Sequence, residues 1–132
     1  MADLAYTKAQ IAPCFPDLAE INSMVAAVTI EAGQTIYTDS NGKAALGDGS
    51  AAGTAKAHGV ALNDAGAGQA VDVLRRGHVY GYTITQAYNA TVYISDTAGS
   101  LADAAGTNTK EMGFVEALSD SDLTKVLFIS AR

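Results

Sequence analysis

The chain has 132 residues, with 14 acidic against 8 basic side chains, a net charge of −6 and no tryptophan. That length suits one domain with a real core, and the acidic balance argues against a nucleic-acid groove, which needs a clustered basic face to neutralise phosphates. Cys14 is the sole cysteine, so no internal disulfide can form, and it reads as a small buried hydrophobe.

Residues 1–24 differ from the rest. They hold both prolines, in Pro13-Cys14-Phe15-Pro16, together with Leu4, Tyr6, Ile11, Leu18 and Ile21 at no clean period. Proline favours extended backbone before its ring and removes an amide donor. The segment predicts an extended N-terminal arm, with Asp17 capping one helical turn. Tyr6, Ile11, Phe15 and Leu18 are its candidate interface residues, expected to bury against a neighbouring subunit or another surface.

Residues 25–132 read as a β-rich domain. Val25 to Ile30 is apolar and β-branched, and Thr35 to Thr38 is a second strand. Asp39-Ser40-Asn41-Gly42 carries the Asn-Gly signature of a tight hairpin, with Lys43 to Leu46 returning. Gly47 to Gly53 is a loop and Ala57 to Leu62 a strand. Gln69 to Arg75 is another, broken at Gly77. His78 to Thr85 alternates so that Tyr80 and Tyr82 share a face. Thr91 to Ser95, Glu111 to Ala117 and Thr124 to Ser130 complete the pattern. Turn signals at this spacing predict an all-β fold, a small sandwich or barrel of about eight to ten short strands.

The two halves echo each other. Thr35-Ile36-Tyr37-Thr38-Asp39 is matched by Thr91-Val92-Tyr93-Ile94-Ser95-Asp96. Gly59-Val60-Ala61-Leu62-Asn63-Asp64 is matched by Gly113-Phe114-Val115-Glu116-Ala117-Leu118. In both halves a polar turn then leads into an apolar strand, Ala70 to Leu74 and Lys125 to Ile129. The order is that of an internal pseudo-repeat, a duplicated unit unable to bury its apolar face alone. Pattern sharing between two β-rich halves is the alternative.

Reactive constellations are sparse. His58 and His78 lack the spacing and further donors of a metal site. Asp39 to Gly42 and Asp96 to Gly99 resemble fragments of calcium loops but lack the downstream bidentate acid, and turn chemistry accounts for them. No serine lies in a nucleophile elbow, and no acid/base pair stands out. Lys43, beside its hairpin, resembles the lysine of swinging-arm carrier domains. The expectation is no enzyme, no cofactor and no metal. The N-terminus lacks the basic region and following apolar run of a signal peptide, so no export signal is expected, and no stretch is apolar over the length a membrane helix needs. A core rich in Ala and Val gains less from burial than one of Leu and Phe, so part of the stability is expected from self-association.

Gly59 to Gly77, with its acidic turn and alternating valines, resembles the central signature of the capsid cement (head decoration) proteins of tailed bacteriophages. Val92 to Leu101 resembles their "V-Y, strand, D, small turn, G, L" element, and Gly113-Phe114-Val115 with Val126 to Ile129 their closing strands. The longer, proline-containing start departs from that family. The resemblance implies a structural protein on the outer surface of an icosahedral head, made in the host cytoplasm. It would bridge neighbouring major capsid subunits as a homo-oligomer, a trimer before a dimer, with neither nucleic acid nor membrane as partner. A small β-sandwich carrier or ligand-binding module is the alternative.

Overall fold

In a computed structural model, residues 2–130 are described. They form one ten-stranded antiparallel sheet, curled into a half-barrel, with no α-helix among them. The strands are β1 (Ala12–Pro13), β2 (Glu20–Val25), β3 (Thr35–Thr38), β4 (Ala44–Leu46), β5 (Gly59–Ala61), β6 (Ala70–Tyr80), β7 (Thr91–Ile94), β8 (Leu101–Ala102), β9 (Glu111–Ala117) and β10 (Lys125–Ser130). The all-β expectation holds, and β9 has the bounds that its residue pattern predicts.

The pseudo-repeat is real at the level of register. Ile36 of β3 lies opposite Gly59 of β5, as Val92 of β7 lies opposite Gly113 of β9. Val60 pairs with Leu74 as Phe114 pairs with Phe128, and Ala61 with Val73 as Val115 with Leu127. The hairpins correspond too, Tyr37 facing Ala45 and Tyr93 facing Ala102. Each unit also has a first strand that pairs with its own last one. In the first unit Ile21 and Asn22 of β2 face Leu74 and Val73; in the second His78 and Val79 of β6 face Phe128 and Leu127. Long β6 therefore closes the first unit with its front half and opens the second with its back half. This sharing welds two five-stranded units into one sheet.

The core has two clusters. Ala26, Ile30, Ile36, Ala44, Ala61, Ala65, Val71 and Val73 form a smaller cluster within the first unit, while the larger cluster joins Ala57, Val60 and Leu74 of the first to Val79, Val92, Ile94, Leu101, Met112, Leu127 and Ile129 of the second.

Four local expectations fail for tertiary reasons. Val25 to Ile30 is not a strand: after β2 the chain bends, and Ala26 and Ile30 make single bridges to Ala44 and Ala65. Gly77 does not break β6. It takes φ +141 inside the strand, where a Cβ would stand 3.1 Å from that of Ala19, so glycine lets the N-terminal chain approach. Tyr80 and Tyr82 do not share a face, because β6 ends at Tyr80 and Gly81 turns the chain at φ +106. Asp17 caps nothing. It sits inside a single 3-10 turn, Pro16–Leu18, whose cap position is Phe15 and has no side-chain hydrogen bond.

The division at residue 24 marks no break in the structure, since β2 runs through it. The N-terminal segment is woven into the sheet. The amide of Leu4 donates to the carbonyl of Leu101, and Asp3 bridges Ala102, which closes the outer edge of β8. Tyr6 bridges Tyr82, β1 pairs with Val79 and Tyr80, and β2 runs along Ala70 to Arg76.

Candidate interaction surface

The four residues expected at an interface separate. Ile11 is 7% exposed and belongs to the main core cluster, as does Leu4. Tyr6 packs against Tyr82 at 6.1 Å between ring centroids, and its hydroxyl donates to the Glu31 carboxylate at 3.3 Å. Burial first, and then the Glu31 charge, raise the Tyr6 phenol above its ordinary range. Phe15 lies edge-on to His78 at 5.4 Å. Leu18 alone of the four points outward, at 80% exposed.

Sequence reading missed Leu18's neighbours. Of seven exposed large apolar residues among those described, four fall in one stretch: Leu18, Ile21, Val25 and Val28. They flank or lie on β2, whose every residue is at least partly exposed. No core-facing stripe existed there to betray a strand. β2 is also the longest strand edge left unsealed among the described residues. The outer edge of β4 is met by Ala26 and Ala27, that of β8 by residues 2 to 4, and β1 is a two-residue strand ending in proline. Short strands and proline are ordinary protections of an edge. β2 has neither, and its only charge is Glu20.

The groups with chemical potential are scattered and structurally engaged. His58 Nε2 lies 2.7 Å from the Thr38 hydroxyl, and burial first, then Arg75, lower its pKa. His78 Nε2 lies 2.7 Å from Glu116 Oε2, with the ring held between Phe15 and Phe128 on the outer face of the sheet. Arg76 lies over the Phe128 ring at 5.3 Å. Burial pushes the Cys14 thiol up to about 11. Asp39 Oδ1 accepts the amides of Asn41 and Lys43 at 2.9 Å, which makes the expected Asx turn and leaves Lys43 at an exposed hairpin tip. Asp96 is likewise spent on the amide and hydroxyl of Thr107.

Among the described residues no three His, Cys, Asp or Glu side chains gather as metal ligands, and no helix is long and apolar enough to cross a membrane. One hollow, of about 670 Å³, has Asn89, Thr91, Lys110, Glu111, Phe114 and Ser130 in its lining. It brings Lys110 and Glu111 together with the hydroxyls of Thr91 and Ser130, and no histidine is in its lining. Comparison with family models, with curated proteins and with solved structures returned no match.

Proposed function

We propose that this chain is a structural decoration protein, one that covers the outside of an icosahedral phage head and bridges neighbouring major capsid subunits. The observation that carries a binding role is the gathering of Leu18, Ile21, Val25 and Val28 along the longest unsealed strand edge among the described residues. Exposed apolar side chains on an open edge mark an association surface or an aggregation hazard, and a chain that seals its other edges is built for the former. The class of partner comes from the resemblance of Gly59 to Gly77, Val92 to Leu101 and the closing strands to capsid cement proteins.

The rest of the molecule suits that role. Two copies of one unit share a strand, so load applied to one half is passed to the other through the β6–β10 hydrogen bonds. A net charge of −6 favours solubility of the free protein before it docks. A shell offers many equivalent sites, so modest affinity at each still gives durable cover when subunits are linked.

The test is co-sedimentation of purified protein with phage heads lacking their own decoration. Saturable binding in a fixed ratio to the major capsid protein, with a raised temperature of head disruption, is the expected result. Protein that stays in the supernatant with every such head would overturn the assignment.

A further inference from the structure

The duplication shows what the open edge of β2 lacks. Its counterpart in the second unit, the back half of β6, is paired on both edges: β10 lies along one, and Ala12 and Pro13 of β1 face Tyr80 and Val79 on the other. The matched registers place Asn22 where Val79 stands and Ser23 where Tyr80 stands. Tyr80 has Ala12 opposite it. Beyond Ser23, among the described residues, there is no strand.

The backbone of β2 is set for such a partner. Ala26 donates its amide to the Gln69 carbonyl and accepts from the Gly68 amide, both at 2.8 Å, so its polar groups face β6. Alternation along an antiparallel strand turns Met24 and Asn22 the same way. The amides and carbonyls of Ile21, Ser23 and Val25 then face outward, and all three residues have exposed side chains. An unpaired row of this kind accepts an extended strand.

We propose that the occupant is β2 of a second copy, paired antiparallel about a two-fold axis at Ser23. This register is self-complementary. It sets Ser23 opposite the partner's Ser23, Ile21 opposite the partner's Val25, and Val25 opposite the partner's Ile21. Cross-strand apolar pairs on one face are a favourable unit of sheet pairing. The only charged residue of each strand, Glu20, falls at opposite ends of the pair, so an acidic protein joins where its charges are far apart. One edge used twice satisfies both copies and closes the assembly, as isologous contacts do. The sheet becomes continuous through both molecules. The result is a dimer, the second of the two assemblies expected from the sequence, because a three-fold ring needs two different edges and, among the described residues, only this one is open over such a length. The proposal does not rest on the capsid reading: protein that ignores phage heads would leave it intact.

Sedimentation equilibrium of the full chain tests it at about 100 μM, above the micromolar dissociation constant expected of a small interface. The expected species is a dimer. Ser23→Pro removes one outward amide while sparing every β2–β6 bond, and proline is tolerated on such an edge. It should yield a monomer with an unchanged circular dichroism spectrum. Should Ser23→Pro unfold the chain, the decision passes to a Cys14→Ser/Ser23→Cys double variant. In this register the two Ser23 Cα atoms form a hydrogen-bonded pair about 5.5 Å apart, within disulfide reach. Mild oxidation should link most of the protein as a covalent dimer that keeps its fold. A monomeric parent, a trimer, a dimer indifferent to Ser23→Pro, or a double variant that does not cross-link would each overturn the proposal. A monomeric parent whose Ser23→Pro variant no longer binds heads would assign the edge to the shell instead.

Discussion

Gly113 sits so close to the carbonyl of Phe128 that a Cβ at this position would lie 2.0 Å from the oxygen. Gly59, its counterpart, would place a Cβ 2.3 Å from the carbonyl oxygen of Leu74. Each glycine opens the fourth strand of its unit or lies just inside it, and each lets that strand pack on the fifth. The contact is with rigid backbone, so a methyl group must push strands apart. Gly113→Ala and Gly59→Ala should each cost about 3 kcal/mol, the upper part of the range for overpacking. Gly42→Ala, in open space but at φ +77, should cost about 1 kcal/mol from backbone strain alone. Urea denaturation of the three variants separates these values. Equal losses at all three positions would remove the packing argument.

The N-terminal segment should behave as core at some residues and as surface at others. Leu4→Ala and Ile11→Ala remove side chains 5% and 7% exposed, and each should lower stability by about 2–4 kcal/mol. Leu18→Ala should change it by less than about 0.5 kcal/mol. Removal of residues 2–13 should leave a chain that no longer folds cooperatively, because Leu4, Ile11 and the backbone contacts of residues 2–4 with β8 go with it. A truncated protein with an unaltered melting temperature would restore the free-arm view.

Acid should weaken the fold in two windows. The folded pKa of His58 lies below the 6.5 of an ordinary histidine, so as pH falls the unfolded chain takes up the proton first. His58 therefore costs stability as pH drops below 6.5, until its folded pKa is reached. Asp64 is held below 3.8, first by the Ala32 amide, so its contribution is present above that value and is lost only at more acid pH, through its folded pKa. Stability curves of the parent and of His58→Asn between pH 7 and 5 should diverge, with the variant less sensitive. Parallel curves would mean that His58 titrates alike in both states.

Cys14 should be a slow thiol. With a pKa of about 11, roughly one molecule in a thousand carries the thiolate at pH 8. Alkylation of the native protein should be far slower than that of a free thiol and should accelerate up to about pH 11. Unfolding in urea should restore the ordinary rate. Rapid labelling of the folded chain at neutral pH would contradict the burial that raises this group.

Local chemistry in the sequence determined the turns and the strands with one buried face. Asp39 and Gly42 specify their hairpin because an Asx side chain bonds nearby amides and glycine takes positive φ, both without tertiary help. Glu111 to Ala117 was legible because the apolar run Met112-Gly113-Phe114-Val115 stands between a polar loop and the Ser119-Asp120-Ser121-Asp122 turn. The echo of Thr35-Ile36-Tyr37 in Thr91-Val92-Tyr93 was legible as text. That it preserves the pairing of whole strands was decided only in three dimensions, since register depends on partners far along the chain. The same holds for β2. Glu20 to Val25 has no buried stripe, so nothing in its own residues distinguishes a strand from a tail, and pairing with Ala70 to Arg76 makes it one. Ile11 and Leu18 look alike in sequence, two aliphatic residues in a proline-bearing segment. One is sealed beneath the half-barrel and the other is left in solvent, because the rest of the chain happens to cover only the first.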